Sequence, residues 1–262
     1  MKTSATITFG ACSDLGRVRS DNQDSYGKFP EDNDDITAPR GQLFVVADGM
    51  GGQKGGREAS TIAVETINQQ YFSDPDTDIA KSLERALQKA NEAIYEYSTT
   101  HAGFQNMGTT CSALVLKDNR AYIAHVGDSR IYRITKGTIT QLTDDHSNVA
   151  EMQRRGMLTK EEAKNHPERS HLYRAIGVRP DVPIDKIEKI QLSTTDTFLL
   201  CSDGLVNHVE DDEIMQVAKN LPPQEACKEL VAMANDRGGY DNITILVVQV
   251  NCTDSFLGGL FG

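Results

Sequence analysis

Leu43-Phe44-Val45-Val46-Ala47-Asp48-Gly49-Met50-Gly51-Gly52 carries an apolar run into a single carboxylate and then into a cluster of glycines. The run is β-favouring and free of polar residues, the pattern of a strand buried on both faces. Glycines behind it permit a tight turn and a close approach of backbone to a ligand. A helix-like stretch opens near Arg57, which leaves Asp48 at the rim of a buried sheet. An Asp-Gly pair also caps ordinary turns, so Asp48 alone supports either reading.

The same ending recurs along the chain. Asp128 follows Ile123-Ala124-His125-Val126-Gly127, and Asp203 follows Phe198-Leu199-Leu200-Cys201-Ser202. Asp241, with Asn242, immediately precedes Ile243-Thr244-Ile245-Leu246-Val247-Val248, and Asp24 adds a further acid after the first strand. Carboxylates fixed on separate strand ends repel one another unless a cation stands between them. Without a Cys-x-x-Cys or His-Glu-x-x-His pattern they are hard oxygen ligands, which suit Mg²⁺ or Mn²⁺ rather than zinc. Two such ions about 4 Å apart can activate a water and clamp a phosphoryl group. Independent turn residues would give the same spacing, and the pattern alone leaves both open.

Outward from these acids, residues 3–11 alternate as a strand with Ile7 and Phe9 on one face, and residues 13–24 are polar and turn-prone. Residues 57–71 and 77–101 each carry one apolar stripe at helical spacing, as helices covering a sheet do. Residues 109–116, 120–125, 129–134 and 138–142 are short, β-rich and separated by turns, which predicts consecutive antiparallel strands. Residues 147–168 return to a polar, helical character and are the best candidate for a mobile surface segment. Strands are expected again at 182–192, 197–201 and 243–250, and helices at 211–219 and 224–235. The order lacks regular βαβ alternation, so a single α+β domain over residues 1–252 is the economical reading. Residues 253–262 form a glycine-rich tail with Phe256, Leu257 and Phe261.

Composition narrows the function. The 262-residue chain is 38% hydrophobic and 25% charged, ordinary for a globular protein. Its net charge of -11 and pI near 5.0 argue against a nucleic-acid partner. Cys12, Cys111, Cys201, Cys227 and Cys252 are scattered and odd in number, as suits reduced thiols in the cytoplasm. Neither a signal peptide nor a bilayer-spanning run is present, so no membrane association is expected. Residues 31–35 are acidic but lack EF-hand spacing, and residues 49–56 lack both Gly-x-Gly-x-x-Gly and the lysine position of a P-loop.

Seven motifs then occur in a fixed order: Arg19-Ser20-Asp21-Asn22-Gln23-Asp24, Val46-Ala47-Asp48-Gly49-Met50-Gly51-Gly52, Met107-Gly108-Thr109-Thr110, Val126-Gly127-Asp128-Ser129-Arg130, Leu142-Thr143-Asp144-Asp145-His146, Cys201-Ser202-Asp203-Gly204 and Gly239-Tyr240-Asp241-Asn242. Together, over residues 19–242, they resemble a bacterial-type metal-dependent serine/threonine protein phosphatase of the type 2C (PPM) family. The resemblance implies a four-layer αββα sandwich, two packed antiparallel sheets flanked by helices, with a flap at about residues 147–173. It implies two Mg²⁺ or Mn²⁺ ions, with Asp48 bridging both, the Gly49 carbonyl binding one, and Asp203 and Asp241 completing the second. A third ion would join Asp128 to Asp203, and Asp24 would support the centre through water. Arg19 matches the family's phosphate-holding arginine, and its planar fork suits bidentate phosphate contact.

The implied reaction is in-line attack on phosphoserine or phosphothreonine by a metal-bridging water, without a phosphoenzyme, so no cysteine need act as nucleophile. The implied partners are phosphorylated proteins, among them a cognate kinase or its substrates, acted on by a monomer. Gln23 stands where many family members have Glu, and Met50 where animal members have a histidine proposed as general acid. Methionine cannot donate a proton, which leaves the leaving-group acid to a metal-bound water or an unnamed residue. For His146 a structural role beside the flap is the preferred reading. The competing readings are a hydrolase of another phosphoester and a silent, phosphoprotein-binding regulator of the same fold.

Overall fold

Residues 5–252 are described by the computed structural model, so the tail expected at 253–262 lies outside the described residues. Chain order begins with strands β1 (Ala5–Asp14), β2 (Asp24–Phe29) and β3 (Gln42–Met50), then helices α1 (Gly52–Ser73) and α2 (Ile79–Thr100). Strands β4 (Gly108–Thr109), β5 (Cys111–Lys117), β6 (Arg120–Val126), β7 (Arg130–Thr135) and β8 (Thr138–Gln141) follow. The chain closes with α3 (Asn148–Arg154), α4 (Lys160–Lys164), β9 (Asp185–Gln191), β10 (Thr197–Cys201), α5 (Asp203–Val206), α6 (Asp211–Asn220), α7 (Pro223–Asp236) and β11 (Ile243–Cys252).

One sheet runs β1-β11-β10-β7-β8 and the other β2-β3-β5-β6-β9, with β4 added on β3, and the strand pairs are antiparallel. Alternation within the apolar runs explains the layering. Leu43, Val45 and Ala47 pack with Ala63, Ile67, Leu83 and Leu87 of α1 and α2. Phe44 and Val46, pointing the other way, pack with Phe198, Leu200, Leu246 and Val248 of the opposite sheet. On the far side Leu199, Ile245 and Val247 meet Ile214 and Leu230 of α6 and α7. Each central strand is therefore covered twice, which is why it reads as continuous apolar sequence although its pairings are antiparallel. The result is the expected four-layer αββα sandwich.

The structure departs from the sequence expectation at the edges. β2 was not foreseen: it is an edge strand whose only fully buried residue is Gly27, so it carries no apolar alternation. β1 continues to Asp14, three residues beyond the expected end at residue 11, because β11 pairs with it throughout. α1 begins at Gly52 rather than near Arg57. Its first turn lies so close to Gly49 that a Cβ there would stand 2.0 Å from the Gly56 carbonyl oxygen. The polar segment at 147–168 forms two short helices on the surface, in which Val149 and Ala163 are buried, and Ser147, capping the first, is buried too. Gly156, at φ 71°, ends the first of them. Among the described residues no helix is long and apolar enough to cross a membrane.

Phe44 is completely buried between the sheets. Its replacement by alanine is expected to cost about 3–5 kcal/mol of unfolding free energy, read from urea denaturation. A loss under about 1 kcal/mol would mean that the inter-sheet layer is not the principal core.

Candidate active site

Antiparallel pairing places the C-terminal ends of β3, β6 and β10 at one edge of the sandwich with the N-terminal ends of β2 and β11. Asp48 stands at the end of β3 and pairs in register with Asp24, the first residue of β2. Asp128 follows β6 after Gly127, whose φ of 114° turns the chain out of the sheet. Asp203 opens α5 directly after β10, and Asp241 precedes β11. A cleft of about 420 Å³ is lined by Arg19, Gln23, Asp48, Gly49, Met50, Asp128, Asp203 and Asp241, among others. All the expected site residues meet there except Asp24, which lies behind the wall: its Oδ2 accepts from the Ser202 hydroxyl at 2.8 Å.

Hydroxyls fix the acid-bearing strand ends. The amide of Asp48 donates to Thr110 Oγ1 at 2.9 Å, and Thr109 Oγ1 donates to the Asp48 carbonyl at 2.8 Å. Thr110 Oγ1 in turn shares a hydrogen with Ser129 Oγ at 2.7 Å, tying the junction of β4 and β5 to the residue after Asp128. Arg130 grips Asp145 through Nε at 3.0 Å and Nη2 at 2.7 Å, joining two of the sequence motifs. Arg19 Nη2 donates to Asp241 Oδ2 at 2.7 Å, and that hydrogen bond holds the Arg19 pKa above its ordinary value.

Electrostatics mark the cleft as unusual. Burial raises Asp48 well above the carboxylate range, and the charges of Asp24, Asp203, Asp128 and Asp241 add to it. Burial likewise raises Asp128, with Asp203 and Asp145 contributing and Arg130 opposing. Burial pushes Asp24 up to about 7 against the hydroxyls of Thr244 and Ser202, and pushes Asp203 up to about 6 with help from Asp241. Asp24 Oδ1 and Asp203 Oδ1 are buried without a hydrogen-bond partner. Unpartnered carboxylate oxygens among like charges are what a divalent cation relieves, so these residues fit one. Among the described residues, no group of three or more His, Cys, Asp or Glu side chains is arranged so that it could hold a metal ion by itself. Mg²⁺-like ions take only one or two protein carboxylates and keep several waters, so such an ion here would draw on water for the rest of its shell.

Other expectations can be placed. Gln23 lines the cleft, but its Nε2 is engaged, donating to the Gly52 carbonyl at 3.1 Å. His146 is buried outside the cleft lining, accepting from the Gly127 amide at 3.0 Å and bonded to Asp185 Oδ2 at 2.9 Å, a structural role as expected. Cys111, Cys201 and Cys227 are buried, and burial raises all three thiols, Cys201 and Cys227 to about 12, which makes them poor nucleophiles. Thr110, Ser129, Ser202 and Asn242 received no role from the sequence, although each lies inside a quoted motif.

Residues 18–245 match the family model described as protein phosphatase 2C. The serine/threonine phosphatase stp of Listeria welshimeri is 38% identical over 244 residues, spanning 91% of this chain and 94% of that protein. The crystal structure of the Mycobacterium tuberculosis serine/threonine phosphatase PstP/Ppp superimposes with a TM-score of 0.84 at 32% identity, covering 94% of this chain and 99% of that one. The catalytic domain of PstP in complex with two manganese ions gives a TM-score of 0.81 at 30% identity, covering 95% and 100% of the respective chains.

A carboxylate whose folded-state pKa lies above its unfolded value holds its proton better in the folded chain, so its stabilising contribution fades as pH rises. With Asp203 near 6 and Asp24 near 7, stability without divalent ions is expected to fall between about pH 4 and pH 7. A cation binding the deprotonated acids offsets that fall. Mn²⁺ should therefore raise the unfolding temperature more at about pH 7.5 than at about pH 5, as read by scanning fluorimetry. Equal shifts at both values would contradict the assignment.

Proposed function

Because the chain belongs to the protein phosphatase 2C family, we propose that this cleft hydrolyses phosphoserine and phosphothreonine in proteins with the aid of Mg²⁺ or Mn²⁺. The observation that carries the reading is the meeting of Asp48, Asp128, Asp203 and Asp241 with Arg19 in one cleft. Asp48, the Gly49 carbonyl, Asp203 and Asp241 would hold two ions, and Asp128 with Asp203 a third. Bound there, such ions supply a water acidic enough to ionise near neutral pH and offset charge on phosphoryl oxygens.

The chain's own groups do the rest. Arg19 offers a planar fork to the phosphoryl oxygens: among the described residues only its Nη2 is bonded, and the side chain is 55% exposed. Asp24, held by Ser202 and paired in register with Asp48, would support the centre through water. Sheet-fixed acids keep their positions through the reaction, so little reorganisation is needed as charge develops. A silent binding protein would have no use for acids kept together at this electrostatic cost, which disfavours that alternative.

A second cleft of about 520 Å³, lined by residues of α3, α4 and α6, shares Asp128, Ser170 and Asp203 with the first. Lys160 and Lys164 pair with Glu210 across it, bringing the flap at 147–173 against the body. This continuity supports a substrate-selecting role for the flap. The natural substrates would be phosphorylated proteins, including a cognate serine/threonine kinase or its targets, met by a monomer in the cytoplasm.

Mn²⁺- or Mg²⁺-dependent phosphate release from a phosphothreonine peptide is expected to fall about 10³-fold in Asp48→Ala, from several kcal/mol of lost charge stabilisation. Turnover that persists in EDTA would sink the metal requirement. Exchanging residues 147–168 for a relative's flap should alter peptide preference more than hydrolysis of a small aryl phosphate. Equal effects on the two would remove the flap from substrate selection.

A further inference from the structure

Asn242 is 5% exposed and sits beside the cleft with a carboxamide directed at a single loop. Its Nδ2 donates to the carbonyls of Leu15 at 3.0 Å and Asp21 at 3.1 Å, and its Oδ1 accepts from the Gln23 amide at 2.9 Å. Those three backbone groups stand near the two ends of residues 15–23, the loop that carries Arg19. Both N–H donors are spent on the loop, which leaves none for a phosphate. The backbone of the same residue works in the other direction, donating to Asp241 Oδ1 at 2.9 Å. Asp241 then takes the tip of Arg19 at 2.7 Å. The dipeptide Asp241-Asn242 thus holds Arg19 twice, at its guanidinium and at the roots of its loop.

Other groups tie the loop at its C-terminal end: Arg57 Nε donates to the Asn22 carbonyl at 3.2 Å and its guanidinium pairs with Asp21, while the Gln23 carbonyl accepts from the Gly49 amide at 3.1 Å and the Ser60 hydroxyl at 2.6 Å. Residues 15–23 belong to no helix or strand, and Leu15, Arg17, Val18, Arg19 and Ser20 are exposed. An arginine on an untethered loop would lose backbone and side-chain freedom on gripping a phosphoryl group, at the expense of affinity. Tethering removes that loss in advance. Towards its N-terminal end, Arg17 donates its amide to the Gly239 carbonyl at 2.7 Å, Asp14 Oδ1 accepts from the Gly16 amide at 2.9 Å, and Asn22 Nδ2 donates to Ser13 Oγ at 2.9 Å. Among the described residues, Asn242 is the one whose side chain, from outside the loop, bonds the loop backbone at both ends.

We propose that Asn242 is the positioning residue for Arg19, setting phosphate affinity through the loop without contacting the phosphate itself. This rests on the reading of Arg19 as the phosphate-holding group.

A double-mutant cycle separates the two ideas. The probes are p-nitrophenyl phosphate and inorganic phosphate as product inhibitor, on full-length protein saturated with Mn²⁺. Arg19→Ala is expected to raise KM and the phosphate inhibition constant about ten-fold, the low end for a lost charge-assisted hydrogen bond. Asn242→Ser should give a similar rise with kcat changed less, and the double variant should be no worse than about two-fold beyond Arg19→Ala. Mn²⁺ affinity by calorimetry should stay within about two-fold, since the backbone bond to Asp241 survives. Multiplying effects, or a loss of Mn²⁺ affinity in place of phosphate affinity, would overturn the proposal while leaving Arg19 in its role. If Arg19→Ala moves neither constant, the reading of Arg19 fails and the proposal with it. Should Asn242→Ser not fold, Asn242→Asp retains the acceptor for Gln23, loses the donors to Leu15 and Asp21, and enters the same cycle.

Discussion

Asp24, Asp48, Asp128, Asp203 and Asp241 stand close enough to act on one another's charge, and burial compounds the repulsion. No local segment would collect them. Each is delivered by a different strand end, and the strands are locked by a core that runs between the sheets and under both helical layers. Asp24 and Asp48 are direct cross-strand neighbours, an arrangement that weakens a sheet unless something compensates. The fold thus tolerates a local electrostatic penalty at one edge and gains there a rigid, oxygen-rich cleft suited to divalent ions.

Around that cleft, backbone contacts set positions as firmly as side chains do. Gly49 and Gly56 bring the start of α1 against the end of β3 at a distance that no Cβ could share. The Gln23 carbonyl accepts from the Gly49 amide at 3.1 Å and from the Ser60 hydroxyl at 2.6 Å, linking the Arg19 loop, the Asp48 strand and α1. Asn242, just before β11, closes the same ring. The glycines that first suggested room for a ligand serve chiefly to let two stretches of backbone meet.

Much of this was legible in the sequence because it is carried by burial. Strands covered on both faces announce themselves as apolar runs, and an acid at the end of such a run is conspicuous. β2 escaped because an edge strand with one buried residue has no periodicity to detect. α1 was read as starting late because glycines argue against helix, and only the tertiary contact with Gly49 explains them. Thr110, Ser129, Ser202 and Asn242 were invisible as individuals. Their roles are hydrogen bonds across about 20 to over 200 residues of chain, which no local pattern encodes. The split of the flap into two helices follows from Gly156 and from the capping box of Thr159 with Glu162, signals that were present but subordinate to its polar composition.

The central claim is that the fold gathers these acids to hold divalent metal between them. Anomalous diffraction from crystals of the protein grown with Mn²⁺ tests it most directly. The account predicts two strong peaks in the cleft, both within about 2.0–2.3 Å of Asp48 oxygens, one also touching the Gly49 carbonyl and the other Asp203 and Asp241. Peaks confined to other surfaces, with the carboxylates of the cleft left without metal, would contradict it.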